Sequence, residues 1–241
     1  LLGSPDDLSI RQFQFAGNIE IAVLHFSGLI EKRTVNDDII QPLLELYQLD
    51  PDSRTDAPSL TELENILQEA GTLKIVDRLP DMIDGILYGQ TAVLVDGFNK
   101  AYLITSEGGE RRSISEPTTE MLVRGPREAF VEDLETNIAL LRRRVRSPHL
   151  RFDSLTVGVR SKTQIRVVYE ASIANPELVQ EVKRRIASIH TDSIQSSGII
   201  EQWIMDSFLS PFPQMRNSER PDRVAIAIEQ GKVAVLTEGT P

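Results

Sequence analysis

The residues of this chain with the plainest chemical reach are arginines. Arg124 and Arg127 flank Gly125-Pro126, and Arg142, Arg143 and Arg144 follow in one run, all within EPTTEMLVRGPREAFVEDLETNIALLRRRVRSPHL (116–150). A guanidinium fork matches a carboxylate or phosphate bidentately, so Arg124, Arg127 or the 142–144 run can grip such an anion. The competing reading is a solvated helix face. Glu128, Glu132, Asp133 and Glu135 precede the arginines, an order that suits the helix macrodipole. His25, His149 and His190 stand at no metal-ligand spacing, and His25, inside an apolar run, reads as a hydrogen-bonded core residue. No GxSxG, HExxH or GxGxxG occurs, and Gly231-Lys232 lacks the flanking residues of a phosphate-binding loop. No acid/base pair stands out, so the chain is read as a non-enzyme without metal or cofactor.

The elements that must position these residues alternate between helix and strand. IEIAVLHF (19–26) is a short apolar, β-branched run and predicts a buried strand. Ile39, Ile40, Leu43, Leu44 and Tyr47 recur at helical spacing over 35–48, with Asn36 as the expected N-cap. DPDSRTDAP (50–58) reads as a loop, and 59–70 as a second helix. A strand at 72–76, a helix at about 80–88 and a hairpin TAVLV–DGFN–KAYLIT follow. The arginine segment predicts a helix over 125–146, started by Gly125-Pro126 and stopped by Ser147-Pro148, with Phe130, Leu134, Ile138, Leu141 and Val145 as its apolar stripe. Beyond it the pattern predicts strands at 151–159 and 163–170, helices at 176–189 and 198–208, an irregular loop at 210–222, a helix at 222–229 and a strand at 232–237.

Composition narrows the function. The 241 residues carry a formal net charge of −10, with 26 Lys and Arg against 36 Asp and Glu. That balance argues against nucleic-acid binding, which needs cations to neutralise phosphate. There is no cysteine, which excludes disulfides and thiolate metal sites. No run reaches the ~18–20 apolar residues that span a bilayer. No signal peptide is visible at Leu1, which reads as a domain boundary.

A faint repeat organises the chain. GILYGQTAVLVDG (85–97) aligns without gaps to AIEQGKVAVLTEG (227–239), with six of thirteen positions identical. AVLHFSGLI (22–30) echoes RVVYEASIA (166–174), and LQEAG (67–71) echoes IQSSG (194–198). The expected fold is therefore α/β: two related lobes with a cleft, similar to substrate-binding proteins. The expected division is a first lobe at 1–115, a connecting segment with the long charged helix at 116–149, and a second lobe at 150–241. Domain boundaries favour ligand sites.

The 116–150 segment, with its RGPREAF…TNIALLRRR core, resembles the GerA-type spore germination family, whose A subunits have a very similar segment. The likeness continues in SPDDLSIRQF near the start, ASIANPELVQEVKRRI (171–186), and SPFPQ…ERPDRVAIAIEQGKVAVLTEGTP (210–241), and so covers essentially the whole chain. At Glu170-Ala171-Ser172 the chain departs from the family's Glu-Gly type of turn, and no ligand contact is carried over there. The resemblance implies the N-terminal domain of a membrane protein of the spore inner membrane, on the core side, with a multi-helix membrane domain after Pro241. It implies B and C subunits as partners, and a small nutrient such as an amino acid, sugar or nucleoside as the signal for germination. A homo-oligomer in the full receptor is compatible with it.

Two functions follow as expectations. In a nutrient-recognising domain, Arg124 or Arg127 serves a carboxylate, and Glu116 or Asp96 an ammonium. In an assembly module without a nutrient site, Arg142, Arg143, Arg144 and Phe212 contact partner subunits.

Overall fold

The run 19–26 does form a strand, and the described elements between residues 7 and 108 are arranged around it. The computed structural model describes residues 5–15, 19–48, 60–108, 128–207 and 213–240. Strand β1 (Leu8–Phe15) pairs antiparallel with β2 (Ile19–Phe26), Leu8 opposite Phe26 and Phe15 opposite Ile19. β1 adds to the predicted elements: its alternation of apolar and polar residues suits an edge strand. π-Helical turns at Thr34–Ile40 lead into α1 (Gln41–Gln48). Asn36 is not an N-cap. It lies inside those turns, and its Oδ1 accepts from Arg11 of β1 at 2.9 Å. Next come α2 (Leu60–Glu69), β3 (Leu73–Val76), α3 (Leu79–Leu87), β4 (Gln90–Val95) and β5 (Ala101–Thr105). The sheet runs β1-β2-β4-β5-β3, all antiparallel.

Both faces of this sheet are covered, which is why TAVLV and AYLIT are apolar without alternation. Ile21, Val23, Val93, Val95, Tyr102 and Ile104 pack against Ile39, Leu43, Leu63 and Leu67 on the α1–α2 side. Leu103, between Tyr102 and Ile104, points the other way, where a side chain on Gly85 of α3 would strike its methyl groups at 2.5 Å.

In the second half, α4 (Leu134–Arg144) precedes the hairpin β6 (Leu150–Val157) and β7 (Thr163–Glu170). α5 (Pro176–Ala187), α6 (Ser197–Ile204) and α7 (Pro221–Glu229) follow, then β8 (Ala234–Thr237). The sheet is β6-β7-β8, again antiparallel. Leu150, Phe152, Val168 and Leu236 share one core with Leu134, Ile138 and Leu141 of α4 and Ala225 and Ile228 of α7. Ile165, Val167 and Val235 face the other core, with Ile186, Ile200 and Ile204.

Two differences from the sequence reading concern α4. Its helix starts at Leu134, later than the expected Gly125-Pro126, which lies outside the described residues. Asp133 is the N-cap, its carboxylate accepting from Thr136 N–H at 2.7 Å. Buried Asn137 clamps Val131 through both backbone groups, at 2.9 and 2.6 Å, and this holds the chain extended before the helix. Nor is α4 a connector. The compact units are Asp7–Glu110, and Leu1–Asp6 with Arg111–Pro241; α4 sits in the core of the latter.

The repeat is written in hydrogen bonds. Ile21 opposes Val95 in the first unit, and Ile165 opposes Thr237 in the second; the offsets are 144 and 142 residues. At the same offsets, Asp96 N–H donates to Glu20 O at 2.8 Å and Glu238 N–H to Gln164 O at 3.0 Å. Gly89 and Gly231 end α3 and α7 with φ of 89° and 81°. A Cβ at either would lie 3.0 Å from a carbonyl oxygen, of Leu29 and Ile173 respectively, again 144 residues apart. Glycine is required twice by one geometry.

Candidate functional site

Of the predicted ligand residues, Arg124, Arg127 and Glu116 lie outside the described residues, as does Phe212. Asp96 is exposed in the β4–β5 turn, and its carboxylate accepts from the next N–H, of Gly97, at 2.9 Å. That bond stabilises the turn.

The arginine run divides. Arg142 is 1 % exposed. Its guanidinium donates to the carbonyls of Ser147 at 3.1 Å and Leu150 at 3.2 Å, and lies 5.0 Å from the centre of the Phe152 ring. It fastens the end of α4 to the start of β6 from inside, so the expected partner contact at Arg142 is corrected: this side chain has no surface to offer. Arg143 and Arg144 are half-buried. Arg144 pairs with Glu128 at 2.5 Å. Nearby, buried Arg220 pairs with Asp222, and the two guanidinium groups, Arg220 first, hold the Asp222 carboxyl below its ordinary range. Together these charges tie residue 128, the end of α4 and the start of α7.

Other ionisable groups also satisfy one another. Asp153 accepts from Tyr169 at 2.9 Å and pairs with Lys183 at 2.5 Å; burial and this carboxylate push the Tyr169 phenol up to about 12. His25 is buried and held down to about 4, by desolvation first and by Arg11 second. Its Nδ1 has no hydrogen-bond partner among the described residues, so the expected core position is met without a bond to that nitrogen from them. Among the described residues no cluster of carboxylates and histidines has the makings of a metal site.

A concave feature lies elsewhere. A groove of about 890 Å³ follows β8. Its floor is Val233 to Thr237; α7 contributes Val224 and Ala227 on one side, and residues 213–218 with Ser197 stand on the other. Because it takes lining from both faces of β8, it lies along the strand's edge, and among the described residues no strand occupies that edge. Arg216, Arg223 and Lys232 add positive charge to the lining, and the buried Thr237 Oγ1 has no hydrogen-bond partner among the described residues. Apolar lining, cations and a strand edge that no described strand occupies suit an extended, partly apolar segment. Sequence reading named none of these residues as a site, although the paired glycines at 89–97 and 231–239 marked the place.

The sequence profile of the Bacillus/Clostridium GerA spore germination proteins matches residues 1–241. This chain belongs to the GerA family. Spore germination protein GerLA of Bacillus cereus, a GerA relative, is 40 % identical over all of the chain, which covers 48 % of that protein. Spore germination protein KA of Bacillus subtilis is 32 % identical, again over all of the chain and 44 % of its own length. The chain thus spans about half the length of these GerA relatives. The crystal structure of the N-terminal domain of the A subunit of the Bacillus megaterium spore germinant receptor GerK3 matches with a TM-score of 0.74 at 29 % identity, covering 100 % of this chain and 88 % of that one. The GerA fold here is accordingly a mixed α/β fold with two sheets. No helix among the described residues is long and apolar enough to cross a membrane.

Proposed function

We propose that this chain is the N-terminal domain of a germinant receptor A subunit and takes part in recognising a nutrient and passing on the signal that starts germination. The receptor sits in the spore inner membrane, works with B and C subunits, and answers a small nutrient such as an amino acid, sugar or nucleoside. The observation that carries this reading is the whole-chain match to the N-terminal domain of the GerK3 A subunit. Arg124 or Arg127 serves a carboxylate in it, and Glu116 an ammonium. NMR titration of the domain with millimolar amino acids, sugars and nucleosides tests it directly: resonances shift with one class, and the shifts vanish in Arg127→Ala.

A second reading is favoured by the groove. Its floor is a sheet edge with core-like apolar side chains, and Arg144 and Arg220 are engaged with Glu128 and Asp222. In that reading the domain assembles the receptor, and the nutrient binds elsewhere. Arg143→Glu with Arg144→Glu separates the two. Co-purification with B and C subunits fails if assembly is the role, while any nutrient shifts persist. Arg142 is left unchanged, because reversing a buried charge would unfold the unit.

A further inference from the structure

We infer that the open edge of β8 is the seat of a fourth strand, supplied by the chain that follows Pro241 in the longer protein. Three observations converge on it.

The first is the repeat. β2 and β4 of one unit correspond to β7 and β8 of the other in register, in the closing hydrogen bonds and in both glycines. In the first unit the chain leaves β4, turns at Gly97 with φ of 82° and returns as β5 on the free side of β4. In the second it leaves β8 and turns at Gly239 with φ of 76°, with nothing within 4 Å of a side chain placed at either glycine. The equivalent of β5 falls beyond Pro241.

The second is the groove itself. It runs along the edge of β8 that corresponds to the edge β5 covers on β4, and takes both faces of the strand as lining. Val233, Ala234 and Val235 are only half-buried there, whereas Ala92 and Val93, at matched positions of β4, are 0 % exposed beneath β5. An edge strand with half-buried apolar side chains on both faces lacks a neighbour among the described residues.

The third is the length of the family's proteins. The chain covers 48 % of GerLA and all of it matches an N-terminal domain, so the relatives have chain to place after this point.

The register follows from the 142-residue offset. Val93 opposes Tyr102 across β4 and β5, so Val235 opposes the third residue after Pro241. The third and fifth residues then face the α5–α6 core, and the fourth faces α4 and α7. All three are apolar, as Tyr102, Leu103 and Ile104 are in β5. Such a strand fixes the following half of the protein to this sheet by backbone hydrogen bonds, so that a shift of the sheet reaches the rest of the protein without a flexible linker. The inference stands apart from the nutrient question.

Cysteine cross-linking in the full-length protein tests it, and the described domain has no cysteine to interfere. Val235→Cys, combined with cysteine at the third residue after Pro241, gives an intramolecular disulfide under mild oxidation. Yield falls roughly tenfold or more when the second cysteine moves one residue, because neighbouring strand residues face opposite sides. Disulfide-linked dimers of the Val235→Cys single variant would mean that the edge receives a second copy, and would overturn the proposal. So would absence of any cross-link in a protein that unfolds at the same midpoint as its parent. Hydrogen exchange on the unsubstituted full-length protein is the second measurement. The amides of Ala234–Thr237 are protected to the level of Gln90–Val95; fast exchange at the outward-facing amides sinks the idea.

Discussion

Arg142 shows what a charge does when the fold closes over it. Its guanidinium occupies two carbonyls and stacks on Phe152, with 1 % of the residue exposed. Removing it takes a charged donor from the carbonyls of Ser147 and Leu150, which keep the bonds from Leu150 N–H at 3.3 Å and Arg151 at 3.2 Å; a hydrogen bond from a charged group contributes about 1.5–3 kcal/mol. Arg142→Met therefore lowers stability by about 3 kcal/mol in urea unfolding, and Arg142→Lys recovers little, because an ammonium cannot fork to both oxygens. Capping makes a smaller prediction. Asp133→Ala loses the bond from Thr136 and costs about 1 kcal/mol, while Asn137→Ala frees both Val131 groups and costs more. His25 gives a pH signature. Its folded pKa, about 4, lies below the ordinary 6.5, so the unfolded chain binds the extra proton first. Stability is complete above 6.5 and falls as pH drops from there towards 4, by at most about 3 kcal/mol. His25→Gln flattens the stability curve across that window.

At the scale of elements, the instructive unit is helix, glycine and strand, used twice. Gly89 and Gly231 leave little room for a side chain: a carbonyl oxygen stands 3.0 Å away and φ is positive. Gly97 and Gly239 have the same sign of φ but open space. Alanine at 97 or 239 thus costs about 1 kcal/mol of conformational strain, and alanine at 89 or 231 costs distinctly more, because the oxygen must move as well. Thermal unfolding of the four variants checks the pairing; equal losses at all four would remove the shared geometry. These elements were legible in the sequence because their signals are local: apolar period, a proline at the first turn, a glycine after the last. The start of α4 was not. Gly125-Pro126 and a long apolar stripe suggested an early beginning, but Asp133 and Asn137 set it at Leu134 by bonding backbone groups that the stripe says nothing about.

For the whole molecule, acid separates the two units. His25 belongs to Asp7–Glu110, whereas Asp222 and Glu181 belong to the other unit. Arg220 holds the Asp222 carboxyl below its usual value, and Arg184 and Arg185 hold Glu181 near 2. Support from such carboxylates is present above their unfolded pKa and is lost only as pH falls through the lower, folded one. At pH 5 hydrogen exchange, corrected for intrinsic rate, then shows β2 losing protection while β6 and β7 keep theirs. Simultaneous loss in both would mean that His25 does not control the first unit.

The sequence alone determined the α/β class, the order of most elements, the repeat and the family, because all of these rest on periodicity and on short runs of neighbouring residues. It placed an arginine run without telling which member faces inward, and it could not see a groove. Those were decided by the tertiary structure. Burial of Arg142 depends on β6 folding beneath α4, and the groove exists because β8 meets β7 on one edge and, among the described residues, has no strand on the other. Both are outcomes of pairing between segments far apart in the chain, and no local pattern records which partner, or which edge, a strand will find.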